Sequence, residues 1–303
     1  MLSKAKCGND ITVLMIKTVD PTQVSQPELH SILLTAVAPR PICFASTIDK
    51  DGNVNLSPFS FFNVFSSNPP IMIFSPSRSG RDNSLKHTHE NVLEVPEVVI
   101  NIVNHNMAEQ MSLSSTAYAK GVNEFQKAGF TEVPSEKVRP PRVAESPVSF
   151  ECTVQEVIEL AQTPGAGNLI IAKVELIHVD DAYFTDGILD TEKLDLVGRM
   201  GGNWYIRAIK DSLFEIPKPL RTHGIGVDAL PKGIRESEVL TGNNLGRLGN
   251  VESLPSALEI DIASVAEHAK HLSKKEIHVL AKRILEEGDT DKAMALLLFG
   301  EHK

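Results

Sequence analysis

Two long β-type runs, Val148 to Leu160 and Leu169 to Val179, constrain the fold more than any other feature of the chain. In each, apolar residues recur at every second position, the spacing that turns one face of a strand toward a core. Thr163-Pro164-Gly165-Ala166-Gly167 separates them with turn-forming residues, so the pair reads as a hairpin. Shorter strands precede it: Ile42 to Ile48, a return through Asp49-Lys50-Asp51-Gly52-Asn53 into Asn55 to Asn63, then Ile71 to Ser75 after Asn68-Pro69-Pro70, and Val98 to Val103. Several strands returning through tight turns favour a barrel, because closure removes the unpaired edges that invite aggregation.

Helices are expected in the connections. Pro27 to Ala38 has Pro27 at its first position, with Leu29, Ile32, Leu33 and Ala36 on one face. Asn83 to Glu94, Met107 to Ser115, Val122 to Ala128 and Asp190 to Val197 also carry helical composition. Ile11 to Val19 reads as a strand ended by Asp20-Pro21. Beyond Asp211 the texture changes to prolines and glycines. Ser264 with Glu267 and Ser273 with Glu276 then fit capping boxes, and Asp289 opens a last helix ending at Phe299-Gly300. The expected organisation is an extension over 1–26, a mainly β domain over 27–210, and a loop-rich, helical extension over 211–303.

Net charge is −9 over 303 residues, so no overall basic field exists to gather nucleic acid or an anionic membrane. No apolar run approaches the roughly 20 residues that span a bilayer, and the run Ile11 to Ile16 is too short for a signal peptide. The three cysteines, Cys7, Cys43 and Cys152, are far apart and form no CxxC, which fits a reducing cytoplasm. His87 and His89 are a poor metal pair, since residues two apart on a helix diverge. No metal site is expected, and there is no P-loop, GxGxxG, HExxH or GxSxG.

Asn55-Leu56-Ser57-Pro58-Phe59-Ser60-Phe61-Phe62-Asn63 is at once apolar, hydroxyl-rich and broken by proline. Ser and Asn buried in such a run cost about 1–3 kcal/mol each unless partnered. The partner is either neighbouring backbone at a strand edge or bulge, or a ligand. Arg78 and Arg81 precede Lys86 and Thr88 at the start of a helix, where cations and first-turn amides favour a phosphate; a solvated charge run is the plainer alternative. Trp204 and Tyr205, after Gly198-Arg199-Met200-Gly201-Gly202, supply a flat apolar wall or simply follow a turn.

Taken in order, Pro39-Arg40-Pro41-Ile42, Ser46-Thr47-Ile48-Asp49 with Gly52, the Asn55 to Asn63 stretch, Asn68-Pro69-Pro70, Lys86-His87-Thr88 with Asn91, Glu124-Phe125, Glu145-Ser146-Pro147 and Gly198-Arg199 resemble the flavin reductase-like, FMN-binding split-barrel family. That family includes flavoredoxin and the reductase components of two-component monooxygenases. The resemblance covers 27–210 and implies a split β-barrel, usually a homodimer with flavin at or near the subunit interface. It places Thr47 and Ser60, Phe61, Phe62 and Asn63 along the isoalloxazine and ribityl chain, Ser75, Lys86 and Thr88 toward the phosphate, and Tyr205 closing the pocket. His87 stands where the family usually has Asp. Gly224 to Pro231 and Leu240 to Gly246 resemble an extension of some longer members.

The resemblance implies FMN as cofactor, NADH or NADPH as reductant, and free flavin or an electron-acceptor protein as partner. A flavin carries the hard chemistry itself, which accounts for the lack of a conspicuous catalytic acid, base or nucleophile, and no catalytic residue is assigned. A flavin-binding or electron-carrier protein without nicotinamide turnover is the alternative, and a scaffold that has lost its flavin is a third.

Overall fold

The computed structural model describes residues 16–216, 223–254 and 269–303. The chain divides into two compact units, Thr18–Phe214 on the one hand and Met1–Lys17 with Glu215–Lys303 on the other.

In the first unit, the strands are β1 (Cys43–Ile48), β2 (Val54–Phe59), β3 (Phe62–Ser67), β4 (Pro70–Phe74) and β5 (Glu97–Ile102). The short pair β6 (Glu132–Val133) and β7 (Arg142–Val143) comes next, then β8 (Val148–Glu159) and β9 (Asn168–Val179). Two small ladders follow, β10 (Phe184–Thr185) with β11 (Ile188–Leu189) and β12 (Val197–Arg199) with β13 (Tyr205–Arg207). The main sheet has seven strands in the order β2-β1-β5-β8-β9-β4-β3, with antiparallel pairing throughout. The hairpin that organises the sequence is its centre. Bulges between Glu151 and Cys152 and between Val154 and Glu156 add twist to β8, as curling a sheet requires.

Alternation along the strands builds two cores. Cys43 and Ala45 of β1 face one cluster with Phe59, Phe74, Val98 and Ile170. Ile42 and Phe44 face the other, with Leu56, Met107, Met111 and Phe125, beneath α3 (Ala108–Leu113) and α4 (Glu124–Ala128). Each fully buried Phe or Leu contributes about 1.5–3 kcal/mol, so coverage of both faces fixes the β1–β2 register.

The Asn55 to Asn63 stretch is not one strand. It ends β2 at Phe59, turns at Ser60-Phe61, and starts β3 at Phe62. Consecutive in the chain, β2 and β3 lie at opposite margins of the sheet. Arg40, only 6% exposed, holds that corner: Nε donates to Ser60 Oγ at 3.3 Å, while the two terminal nitrogens donate to the carbonyls of Leu34, Val37 and Met200. The Leu34 and Val37 carbonyls belong to the end of α1 (Gln26–Ala36).

Other helices are shorter than their composition suggests. α2 covers only His87–Glu94, because Asn83 takes a left-handed φ of 62° and keeps the preceding residues in a loop. α5 (Thr191–Leu194) stops at Asp195, also left-handed at φ 49°. Of the strand expected over Ile11 to Val19, residues 11–15 lie outside the described residues and the remainder joins no ladder.

The second unit contains α6 (Lys232–Arg235), α7 (Gly242–Leu248), α8 (Lys274–Glu286) and α9 (Thr290–His302). Ser273 caps α8 and Glu276 returns the bond, forming the expected capping box. Ile277, Leu285, Met294 and Leu297 pack between α8 and α9, and Asp289 caps α9, which runs to His302. The Ser264–Glu267 capping box lies outside the described residues.

Candidate functional site

Strand and helix periodicities bring four polar side chains together. Thr47 of β1 pairs across the ladder with Asn55 of β2, while Thr88 and Asn91, three apart, share a face of α2. Asn55 Nδ2 donates to Thr88 Oγ1 at 2.9 Å, and Asn91 Nδ2 donates to Thr47 Oγ1 at 3.2 Å. All four are buried. These bonds tie the β1–β2 hairpin to the first turn of α2 and fix where Lys86, its N-cap, sits.

Against this network lies a cavity of about 910 Å³. One wall is Asn55 and Ser57 of β2; another is the loop bearing Arg78, Arg81 and Lys86. His30 of α1 and Tyr118 close the remaining sides. Neither Lys86 nor Arg81 has a carboxylate partner among the described residues. Arg78 pairs with Glu159 at 3.3 Å. Arg81 and Lys86 thus bring two cations without a carboxylate partner to the cavity of a chain whose net charge is −9.

Three acids, Asp82, Glu90 and Glu124, share the cavity lining; Glu90 pairs with Lys120 at 3.4 Å, and the other two are held differently. Asp82 is held down to about 2 by the hydroxyls of Ser79 and Ser84 and the Ser84 amide, so it is ionised at any working pH. Glu124, 4% exposed, accepts from the Leu56 amide at 3.0 Å. Burial raises its carboxyl above the ordinary range, and the amides of Leu56 and of Glu124 itself oppose that. Its bond secures β2 between Asn55 and Ser57, the two residues that enter the wall.

Of the residues singled out from sequence, Lys86 and Thr88 meet in this cavity, and Thr47 stands behind it through Asn91. Ser60, Phe61, Phe62 and Asn63 do not line it, because the chain turns away at Ser60 into the far margin of the sheet. Ser60 is bound by Arg40, Phe61 is 40% exposed, Phe62 packs on the sheet's inner cluster, and Asn63 Oδ1 accepts from the Val64 amide. Ser75 lies buried outside the cavity wall, its hydroxyl without a partner and its amide donating to Phe61 O. Tyr205 is 40% exposed, with the Arg199 guanidinium 4.6 Å from its ring centre.

Asn55, Ser57, His30 and Glu124 were not singled out as site residues. For Asn55 and Ser57 the signal was present: two polar residues, two apart, on one face of an otherwise apolar strand. Glu124 gives no such signal, since its partner amide is 68 residues away.

Among the described residues, no helix is long and apolar enough to cross a membrane, and no cluster of three or more His, Cys, Asp or Glu is placed to hold a metal.

The family described as "Flavin reductase like domain" matches residues 36–193. An uncharacterized protein of Aquifex aeolicus (strain VF5) is 37% identical over 189 residues, 62% of this chain and 94% of the relative. Among solved structures, nitrilotriacetate monooxygenase component B from Bacillus cereus aligns at 25% identity with a TM-score of 0.62, over 66% of this chain and 98% of that one. A provisionally named flavin reductase with a split barrel domain from Shewanella frigidimarina NCIMB 400 aligns at 27% identity with a TM-score of 0.56, over 65% and 95%. This chain folds as a split β-barrel with a helical C-terminal extension of its own, and it belongs to the flavin reductase-like family.

Proposed function

We propose that this protein is an FMN-binding oxidoreductase of the flavin reductase type, which takes reducing equivalents from NADH or NADPH and passes them to a free flavin or an electron-acceptor protein. The observation that carries this reading is the cavity of about 910 Å³, which joins unpaired cations to a buried amide and hydroxyl wall. Its size is at the upper end of the roughly 300–1,000 Å³ typical of ligand sites.

The residues present fit a phosphorylated cofactor. Among the described residues Lys86 and Arg81 form no ion pair, although Asp82, Glu90 and Glu124 share the lining. Thr88 Oγ1 already accepts from Asn55, so its hydroxyl hydrogen is left to donate to a phosphate oxygen. The first-turn amides of α2, at His87 and Thr88, have no intrahelical acceptor and favour an anion. His87 in the usual place of Asp leaves this end of the cavity without that carboxylate. When bound, the flavin would supply the redox chemistry; the chain's part would be to anchor the phosphate through Lys86, Arg81 and Thr88, hold the ring and exclude water.

The binding chemistry is assigned to 27–210, in keeping with one compact unit over Thr18–Phe214, and residues 211–303 to a separate extension. A homodimer is supported by the open edge of β3, where Phe61, Val64 and Phe65 are 40%, 57% and 64% exposed. In such a dimer Ser60 to Asn63 and Tyr205 would meet a ring held near the interface. Cys43 and Cys152, both free and buried, support a reducing cytoplasm.

The test is the visible spectrum of the purified protein after reconstitution with FMN, followed by anaerobic addition of NADH or NADPH. A yellow protein that bleaches is the expected result. A yellow protein that stays oxidised with both nicotinamides is a carrier, and failure to bind FMN overturns the reading altogether.

A further inference from the structure

His89 is fully buried on α2, yet neither ring nitrogen has a hydrogen-bond partner among the described residues. Its nearest acid is Glu159 at the end of β8, with Nε2 at 3.8 Å from Oε1. The other oxygen of that carboxylate binds Arg78 Nη2 at 3.3 Å. One carboxylate therefore stands between a cation that lines the cavity and a buried imidazole. Glu159 is one-third exposed, which gives protons from solvent a route to His89.

We infer that Arg78 is the arm that reaches for an anionic ligand in the cavity, and that His89 takes a proton from solvent in exchange and replaces Arg78 as the partner of Glu159. The inference rests on the reading of the cavity as a phosphate site. In the resting arrangement Arg78 serves Glu159, and an unprotonated His89 costs least: burial lowers its basicity first, the Arg78 cation adds to that, and Glu159 and Glu90 oppose it. When Arg78 turns to a phosphate, the balance at His89 shifts toward the imidazolium. The repelling cation moves away, and the Glu159 carboxylate loses its partner with an imidazole already beside it. Rotation closing 3.8 Å to hydrogen-bond distance completes the exchange. The proton balance is simple: one proton leaves bulk water, one imidazole becomes imidazolium, and the count of ion pairs in the wall is kept. His89 is thus a positioning residue, acting on the ligand only through Glu159 and Arg78.

The experiment is calorimetric titration of the full-length protein with FMN in buffers of different ionisation enthalpy, which counts protons taken up per FMN bound. It is repeated from pH 6 to pH 8.5 on the wild type, H89N and E159Q. The phosphate's own ionisation, at about pH 6 for a phosphomonoester, is common to all three and cancels in the differences. Relative to both variants, the wild type is expected to take up as much as one additional proton. Its FMN affinity accordingly tightens by up to about tenfold per pH unit as pH falls through the window between the free and bound ionisations of His89. H89N levels off at the weaker, high-pH affinity, because Glu159 is left with the neutral Gln162 amide at 3.4 Å and no replacement cation. E159Q levels off at the tighter one, because Arg78 is released from its ion pair from the start and keeps only its bond to Asn83 O at 3.3 Å. The Glu159 side chain is one-third exposed, so E159Q serves even where the buried H89N substitution impairs folding. Equal proton counts and parallel pH profiles in wild type and E159Q overturn this inference alone. Failure of the wild type to bind FMN overturns the phosphate reading beneath it as well.

Discussion

Removing the Glu124 side chain tests how the cavity wall is held. Glu124→Ala deletes the acceptor of the Leu56 amide, a donor on a residue that is itself fully buried. An unsatisfied buried amide costs about 1–3 kcal/mol. The space left by the truncated side chain adds about 1 kcal/mol, so the expected loss is about 2–4 kcal/mol. With a urea slope of about 2 kcal/mol per molar, the midpoint falls by about 1–2 M. Trp204, the only tryptophan, lies in the same unit and reports its unfolding, with circular dichroism as a second probe. Glu124→Gln keeps a carbonyl oxygen for Leu56 and removes the charge, so its midpoint stays near the wild type. The pH dependence gives the sign. The folded carboxyl is raised above 4.5, so its contribution to stability is complete below that value and is lost as pH rises through the folded ionisation. Between pH 4 and pH 7 the balance should therefore move toward Glu124→Gln. An unchanged midpoint for Glu124→Ala, or a wild-type to Gln difference independent of pH, refutes the account.

Lys86→Ala should weaken FMN binding by about tenfold or more while leaving riboflavin binding unchanged, read by flavin fluorescence quenching, since the lost interaction is with the phosphate. Glu151, fully buried, accepts from the amides of Glu136 and Lys137 at 2.8 and 2.5 Å and from His178 Nε2 at 2.6 Å. Burial raises its carboxyl but these bonds together outweigh it, so the stability it lends is present above 4.5 and lost as pH falls through the lowered value; Glu151→Gln should flatten acid denaturation there. Ser273→Ala removes one half of the α8 capping box and should cost the helical unit about 1 kcal/mol, measured as a shift in its thermal midpoint.

What the sequence disclosed was what is local in the chain. The β8–β9 hairpin follows from alternation within two runs and the turn between them. Arg78, Arg81, Lys86 and Thr88 are close in sequence, and a loop leading into a helix keeps them close in space. The corner at Ser60 could not be read in the same way, because one of the bonds of its anchor Arg40 reaches across 160 residues to Met200. The pocket-facing role of Asn55 and Ser57, and the exclusion of Ser60 to Asn63, depend on which margin of the sheet each strand joins. Strand order is set by pairings such as β4 with β9, about 100 residues apart, and no window of sequence contains them. The shortened α2 is a smaller case: the residues around Asn83 have helical composition, but its side chain donates to Gln162 O from a left-handed backbone and α2 begins only at His87.

The margins that meet at the Ser60-Phe61 corner have a mechanical consequence. Strands β2 and β3 are joined by covalent chain and share no ladder, so the sheet can widen along that line with all its interstrand bonds intact. Opening then costs what Arg40 gives up at its carbonyls and at Ser60, together with the packing of Phe59 on Phe74, rather than a strand's worth of hydrogen bonds. A barrel built this way has a hinge where a closed one has a wall, and a single buried guanidinium serves as its latch.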